Sequence, residues 1–231
     1  MDSPHQTAHS LGHLPFADRD EAGRELALRL LRYRGTSNLV VLGLPRGGVP
    51  VAAKVADALD APLDVFVVRK LGMPGHPEFA IGAIASGGVR VLSEDILRWY
   101  GIPDSAVEAV TREERAELER RERAYREGRP ALDLHGATAI LVDDGLATGS
   151  TMRAAVQSAR ARQPSQVVVA VPVAAPDACE QLRDVADDVV CARTPEPFSA
   201  VGQWYRDFSQ TTDEEVRQLL ERRAERTPIG E

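Results

Sequence analysis

The chain has 231 residues, a formal net charge of -7 and a pI of about 5.4, which suits one α/β domain with a small subdomain and gives no basic surface for nucleic acid. No apolar run approaches the roughly 18 residues of a membrane span, and the polar first residues lack the apolar core of a signal peptide. The two cysteines, Cys179 and Cys191, suit buried thiols in a cytoplasmic protein better than a disulfide framework.

The first predicted helix follows a loose tail formed by residues 1–15. Asp18 stands three residues before Glu21, a spacing typical of a helix N-cap whose side chain accepts from the backbone. Apolar residues then recur along one face, and Gly35 ends the pattern. The segment therefore predicts one amphipathic helix ahead of the first strand.

Residues 39–44 form an apolar run that predicts a buried strand, and a helix is predicted at 50–59. The turn between them is Pro45-Arg46-Gly47-Gly48. Backbone N–H groups at a helix N-terminus attract anions, and paired glycines let the backbone approach one closely. This turn therefore predicts an anion site.

Residues 63–68 predict the next parallel strand, which runs directly into Arg69 and Lys70 and then a Gly/Pro loop. Basic residues at the carboxyl end of a strand favour a polyanion as ligand, because ligands of open α/β sheets bind at that edge. The alternative is a pair of solvated cations.

A hairpin is predicted at residues 79–92, with its turn at 86–88. A long helix is then predicted from Asp104 to about Glu127. Its surface carries i,i+4 ion pairs and its apolar stripe is thin, so it lies on the surface or packs on a partner, and a homodimer stays open. The predicted pairs are Glu117–Arg121, Glu119–Arg123 and Glu122–Arg126. A coiled coil is the rival interpretation, but the stripe is too short to sustain one.

The most informative stretch is residues 139–152. Four apolar residues predict a buried strand, and Asp143 and Asp144 stand where it ends. A turn with Gly145 and Gly149 follows and opens a helix through three hydroxyl residues. An anion at the helix N-terminus beside carboxylates suited to vicinal hydroxyls or a hydrated Mg²⁺ describes a sugar phosphate as ligand. The alternative is an ordinary strand-to-helix turn with a solvated acidic pair.

The remaining elements continue the alternation of strand and helix, with strands at 166–173 and 188–191 and helices at 176–185 and 213–223. Such alternation predicts right-handed crossovers and a parallel sheet with helices on both faces. The loop before the last helix holds a cluster of aromatic residues. Its members are Phe198, Trp204, Tyr205 and Phe208. They either anchor the last helix or form a stacking wall for a planar base.

Residues 139–152 resemble the signature of the type I phosphoribosyltransferases, which is an apolar strand, an acidic pair and a T-G-x-T loop. The resemblance implies an α/β fold with a parallel sheet and a small hood subdomain at about 71–134, within a single domain over 1–231. It also implies that the loop binds the 5-phosphate of phosphoribosyl diphosphate (PRPP). The loop residues are Ala147, Thr148, Gly149, Ser150 and Thr151.

The same resemblance assigns the other subsites. Asp143 and Asp144 would orient the ribose hydroxyls and the waters of Mg²⁺, while residues 192–231 would include the base contacts. The implied diphosphate-binding residues are Arg46, Gly47, Gly48, Arg69 and Lys70. The implied catalytic residues are Asp143, Asp144, Lys70 and Arg46. The implied base contacts are Phe198, Trp204 and Tyr205.

The implied reaction transfers a 5-phosphoribosyl group from PRPP to a nitrogenous acceptor, with release of diphosphate. Hypoxanthine- and guanine-type enzymes carry an acidic residue just before the T-G-x-T loop, and Ala147 stands at that position here. This departure disfavours a 6-oxopurine and leans towards adenine. Two alternatives stay open: a PRPP-binding regulator with little catalysis, and transfer to an acceptor other than a nucleobase.

Overall fold

Two sheets organise residues 14–226, the part of the chain that the computed structural model describes. The strands are β1 Leu39–Gly43, β2 Leu63–Val65, β3 Val68–Met73, β4 His76–Ala85, β5 Val89–Leu92, β6 Thr138–Val142, β7 Gln166–Val173 and β8 Asp188–Arg193. Five of them form a parallel sheet in the order β2-β1-β6-β7-β8, and the other three form an antiparallel sheet in the order β3-β4-β5.

Helices cover both faces of the parallel sheet, as the sequence predicted. They are α1 Arg19–Leu30, α2 Gly48–Leu59, α3 Glu94–Tyr100, α4 Asp104–Arg126, α5 Ser150–Arg160, α6 Pro176–Arg183 and α7 Asp213–Arg226. Successive residues of β1 point to opposite faces: Val41 belongs to the core that includes residues of α1, α2 and α7, and Val40 belongs to the core that includes residues of α5 and α6. Since every residue of β1 and β6 is buried, these strands needed the continuous apolar runs that identified them.

The second sheet begins earlier than the sequence suggested. The predicted strand at 63–68 is split, because the parallel strand ends at Val65 and the chain crosses through Phe66 and Val67 into the antiparallel sheet. Both crossing residues are fully buried, so apolarity does not mark the break. The expectation that Arg69 and Lys70 follow the end of a parallel strand was therefore wrong, since both lie within β3.

Helix α4 has the predicted extent and makes all three predicted i,i+4 ion pairs. Its apolar stripe packs inside this chain, since Val107, Leu118 and Tyr125 are buried in the core. The helix α3 was not predicted. The predicted hairpin is present as β4 and β5, although β4 extends to His76. The bounds of the hood, residues 71–134, stay a prediction.

Arg126 fastens the end of α4 to the edge of the parallel sheet. Its Nε donates to both oxygens of Asp64 at 2.9 and 3.2 Å, and its Nη2 donates to the carbonyl of Val65 at 2.8 Å. Both charged side chains are less than a tenth exposed. This buried pair therefore joins α4, which packs against the second sheet, to strand β2.

The structure brings the two cysteines together. Cys179 in α6 and Cys191 in β8 lie in contact, with their Cα atoms 6.7 Å apart, where the sequence predicted two separate thiols. The helix α6 returns against the edge strand β8 and so brings together two residues that are 12 positions apart. Composition alone could not indicate this pairing, because it depends on how the helix packs.

The start of the described chain meets the loop before α7, near the sheet edge where β6 ends. Phe16 forms a parallel bridge with Tyr205, and backbone bonds join Phe16 N to Trp204 O and Arg206 N to Phe16 O. Asp18 caps α1 as predicted, accepting from the amide of Glu21 at 2.8 Å. Most of the predicted loose tail, residues 1–13, lies outside the described residues. No helix within 14–226 is long and apolar enough to cross a membrane.

Candidate active site

The two strand-end turns that the sequence singled out are neighbours. Strands β1 and β6 pair directly, with Gly43 opposite Val142, so the Pro45–Gly48 turn and the acidic pair leave the sheet at the same edge. The contact is close enough to exclude any side chain. A Cβ on Gly47 would overlap Oδ2 of Asp144, and one on Gly48 would lie 2.6 Å from the carbonyl oxygen of Val142. The two glycines are therefore required by space, since the φ of Gly47 is an ordinary −62°.

The acidic pair itself is partly shielded from water. Oδ1 of Asp143 accepts from the amide of Asp144 at 2.9 Å. Burial raises the pKa of Asp143 well above its ordinary value, and the negative charge of Asp144 adds to this rise. Burial also raises the pKa of Asp144, against the opposing charge and hydrogen bond of Arg19. Two adjacent carboxylates with raised pKa values at a partly buried strand end are typical of a site that binds a cation or hydroxyl groups.

Arg19 is the site residue that sequence reasoning missed. Its Nε donates to Oδ2 of Asp144 at 2.9 Å, and its Nη2 lies 2.9 Å from the same oxygen. Its Nη1 donates to the carbonyl of Ser209 at 2.7 Å, and its guanidinium carbon lies 4.1 Å from the ring centroid of Phe208. The partners Arg19 and Asp144 are 125 residues apart, so no local pattern in the sequence signals this pair.

The predicted phosphate loop leads from the acidic pair into α5. Gly149 has a φ of 71°, the left-handed conformation that glycine adopts without strain, and α5 begins at Ser150. Leu146 bridges Ala174 at the end of β7, which fixes the start of the loop. Thr148 and Thr151 are exposed, so an anion can reach the helix N-terminus from solvent.

The predicted diphosphate cations lie on different elements. Arg46 follows β1, and its Nη1 is 3.6 Å from Oδ1 of Asp213, at the start of α7. Arg69 lies in β3, where its Nε donates to Glu114 of α4 at 2.6 Å. Lys70, also in β3, is exposed. The structure thus brings Arg46, the two glycines and the acidic pair to one edge, while Arg69 and Lys70 belong to the second sheet.

The aromatic cluster packs against the strand end that carries the acidic pair. The rings of Phe198 and Trp204 stack with centroids 6.3 Å apart. Tyr205 is only 5% exposed, packs between Phe16 and Phe208, and donates its hydroxyl to the carbonyl of Asp144 at 2.6 Å. Tyr205 therefore supports the backbone of the acidic pair. That Phe198, Trp204 and Tyr205 contact a base stays a prediction.

The arrangement matches a known family. A family model described as a phosphoribosyl transferase domain matches residues 18–204, which include both strand-end turns and the phosphate loop. The chain belongs to the phosphoribosyltransferase family. This finding confirms the resemblance carried by residues 139–152.

Relatives support the same assignment. The chain is 52% identical over 207 residues to two Mycobacterium tuberculosis proteins, from strains CDC 1551 / Oshkosh and ATCC 25618 / H37Rv, which carry the name phosphoribosyl transferase. The match covers 90% of this chain but 46% of each relative, so the chain spans about half the length of the curated relatives it matches. The crystal structure of the protein TT1426 from Thermus thermophilus is 46% identical, covers 90% of this chain and 98% of its own, and superposes with a TM-score of 0.82.

Family membership supports a transferase. In this member of the phosphoribosyltransferase family the matched range ends at Trp204. Tyr205, Phe208 and Ser209, which contact Asp144 or Arg19, lie just beyond it. These contacts to the acidic site therefore come from a loop outside the matched family pattern.

Proposed function

We propose that the protein transfers the 5-phosphoribosyl group of PRPP to a nitrogenous heterocycle and releases diphosphate. The observation that carries this proposal is the apposition of Gly47 and Gly48 to Asp143 and Asp144 at one sheet edge. This apposition places the arginine-bearing turn and the two carboxylates side by side at one edge of the sheet, so that one ligand could reach both. A sugar phosphate, with anionic groups and vicinal hydroxyls, suits such a pair of subsites.

The 5-phosphate would bind residues 147–151. The N-terminus of α5 supplies unpaired N–H groups and a partial positive charge, and the hydroxyls of Thr148, Ser150 and Thr151 can donate further hydrogen bonds. The ribose hydroxyls would then lie over the acidic pair, which the chain places only a few residues before this loop.

The diphosphate would lie at the Arg46 turn. Negative charge accumulates there as the bond to C1 breaks, and donors placed in advance stabilise it. Arg46 would exchange its contact with Asp213 for the diphosphate, and Arg69 would exchange its contact with Glu114. Lys70 would approach from the second sheet.

The donor set fits Mg²⁺ held through its waters. Within residues 14–226 no group of three or more His, Cys, Asp or Glu side chains could hold a metal alone. Mg²⁺ commonly binds one or two carboxylates together with substrate phosphates and several waters, which Asp143 and Asp144 plus PRPP would provide. When bound, the ion would neutralise charge on the diphosphate.

The acceptor would be a planar heterocycle beside the C-terminal loop. The Phe198–Trp204 stack supports this interpretation, and Ala147, which offers no carboxylate to a 6-oxopurine, favours adenine. A single lost hydrogen bond of this kind is worth about 1–3 kcal/mol of discrimination. The cytoplasmic location stays a prediction from the sequence.

The test incubates the protein with PRPP, Mg²⁺ and a panel of nucleobases and quantifies diphosphate and nucleotide. We expect nucleotide formation with adenine, and loss of both products in the Asp143→Asn, Asp144→Asn double variant. Turnover with guanine or hypoxanthine alone would overturn the adenine preference. PRPP binding without turnover of any base would favour a regulatory protein or a different acceptor, and no PRPP binding would refute the proposal.

A further inference from the structure

Arg19 is more buried and makes more contacts than an arginine in an ordinary surface ion pair. Its side chain is 12% exposed and that of Asp144 is 15% exposed. The guanidinium contacts three separate groups: a carboxylate oxygen of Asp144, the carbonyl of Ser209 and the ring face of Phe208. Its planar fork therefore has one orientation, unlike an exposed pair whose side chains exchange between rotamers.

The direction of these contacts matters for a ligand. Both nitrogen contacts to Asp144 fall on Oδ2, the oxygen that also lies against Gly47. A carboxylate held through one oxygen presents the other to a ligand in a fixed orientation. Groups in an outer shell commonly orient the groups that touch a metal or substrate in this way.

Resting on the proposed function, we infer that Arg19 is the positioning residue of the ribose subsite. It holds Oδ2 of Asp144 so that Oδ1 meets a ribose hydroxyl or a metal-bound water, and its charge lets two adjacent carboxylates share the strand end. Arg19 does not itself touch the reacting atoms. Its removal would leave Asp144 able to rotate and without its cation.

A cavity beside Arg19 makes a chemical test feasible. A space of about 190 Å³ is lined by Arg19, Ser209 and acidic residues, including Asp18 and Asp207. Removing the Arg19 side chain would enlarge this space, so we expect a small guanidinium ion to enter it in Arg19→Ala. A purely structural role in folding would not be restored by a free ion at non-denaturing concentration.

The experiment compares Arg19→Ala, Arg19→Lys and a matched control, Arg24→Ala, by calorimetric PRPP binding with Mg²⁺ and by steady-state kinetics. Arg24 lies on the same helix, and its side chain is 67% exposed and pairs with Asp20 at 3.4 Å. We expect Arg19→Ala to bind PRPP about 10–100-fold more weakly, Arg19→Lys to recover part of this loss, and Arg24→Ala to match the wild type.

Two further readouts separate positioning from folding. Guanidinium chloride at tens of millimolar should restore PRPP affinity to Arg19→Ala, while equal sodium chloride should not. The same ranking of variants is expected for ribose 5-phosphate without metal, and the KM for the acceptor should not change. If Arg19→Ala does not fold, Arg19→Lys and Arg19→Gln carry the comparison.

The outcomes distinguish the two proposals. Failure of the wild type to bind PRPP would refute the proposed function. Wild-type binding together with an unaffected Arg19→Ala would overturn only the inference about Arg19. Recovery by sodium chloride as well as by guanidinium chloride would also overturn it, because the effect would then be one of ionic strength.

Discussion

At the residue scale, Gly47 is a position where any side chain would collide with the acidic pair. Replacing it by alanine would place a Cβ on Oδ2 of Asp144, so that either the carboxylate or the turn must move. We expect Gly47→Ala to fold but to lose PRPP binding by at least about 100-fold, as misplaced catalytic groups commonly do. The measurement is calorimetric binding, with the melting temperature as a check on folding.

Gly35→Ala is the matched control for this substitution. Gly35 has a φ of 80° and no atom within 4 Å of the added Cβ, so its replacement costs stability through backbone strain alone. PRPP affinity should stay at the wild-type level even if the melting temperature falls. A similar loss of affinity in both variants would show that instability, not the overlap with Asp144, causes the effect.

Asp188 makes stability depend on pH. It accepts from the hydroxyl of Tyr33 and from Arg32. Burial raises the pKa of Asp188, but the hydrogen bonds from Tyr33 and Arg32 lower it by more, so the net shift of the pKa is downward. Its stabilisation is therefore full above the ordinary aspartate range and is lost as the pH falls through the lowered pKa.

We expect Asp188→Asn to reduce the free energy of unfolding by about 1–3 kcal/mol at neutral pH. The difference from the wild type should shrink as the pH falls below the ordinary aspartate range and through the lowered pKa of Asp188, where the native carboxylate becomes protonated. Urea denaturation at several pH values measures this. Asp95→Asn, whose side chain is 98% exposed, is the control and should show no difference at any pH. A constant gap for Asp188→Asn would contradict the assignment.

At the residue scale, the sequence indicated candidate groups whose placement depends on neighbouring residues, and it did not indicate contacts between distant residues. Gly47, Asp143 and Gly149 lie in turns that can be recognised from the residues next to them in the sequence. Arg19 contacts Asp144 across 125 positions, so only the fold reveals it. Tyr205 was predicted as a base contact, but its hydrogen bond to the backbone of Asp144, across 61 positions, was not.

At the scale of elements, the pair of Arg126 and Asp64 fastens α4 to β2. Arg126→Ala would leave Asp64 buried without its cation, which costs about 3–5 kcal/mol. We expect a large drop in the free energy of unfolding and faster hydrogen exchange in α4 and β3. Denaturation and exchange measurements check this directly.

Arg123→Ala is the matched control on the same helix. Its ion pair with Glu119 is exposed and spans 3.6 Å, so removal should change stability by less than about 0.5 kcal/mol. Equal losses in the two variants would mean that burial of the Arg126 pair does not matter.

Helices and strands with a distinct sequence pattern were predictable, while the point where the chain passes from one sheet to the other was not. The apolar runs of β1, β6 and β7 and the ion-pair pattern of α4 gave elements close to the observed ones. The crossing at Phe66 and Val67 was hidden, because residues buried between two sheets look like residues buried within one. The position of β3 follows from that crossing, which is why Arg69 and Lys70 were placed incorrectly.

At the scale of the whole molecule, the proposed site spans two sheets. The predicted 5-phosphate loop follows a strand of the parallel sheet, and Lys70 lies in the antiparallel one. If the sheets hold opposite ends of PRPP, Lys70→Met should weaken PRPP and diphosphate binding far more than ribose 5-phosphate binding. We expect a loss of about 10- to 150-fold for PRPP and diphosphate and no change for ribose 5-phosphate, since a charge-assisted contact is worth about 1.5–3 kcal/mol.

The control is Arg90→Met, on β5 of the same sheet, where Arg90 pairs with Glu108 at 2.6 Å. It removes one positive charge from the sheet without changing Lys70. Calorimetric titration with the three ligands measures each affinity. Equal losses for all three ligands in Lys70→Met would place the lysine outside the diphosphate subsite.

The contact between Gly47 and Asp144 also limits how this protein can evolve. The backbone at Gly47 would accept any L-residue, and only the carboxylate opposite excludes a side chain. Selection for ligand binding would therefore keep glycine at that position for as long as the acid is kept. In a descendant that no longer needed the carboxylate, selection would no longer constrain either position. A residue larger than glycine at 47 together with a non-acidic residue at 144 would therefore mark relatives that have lost this ligand-binding function.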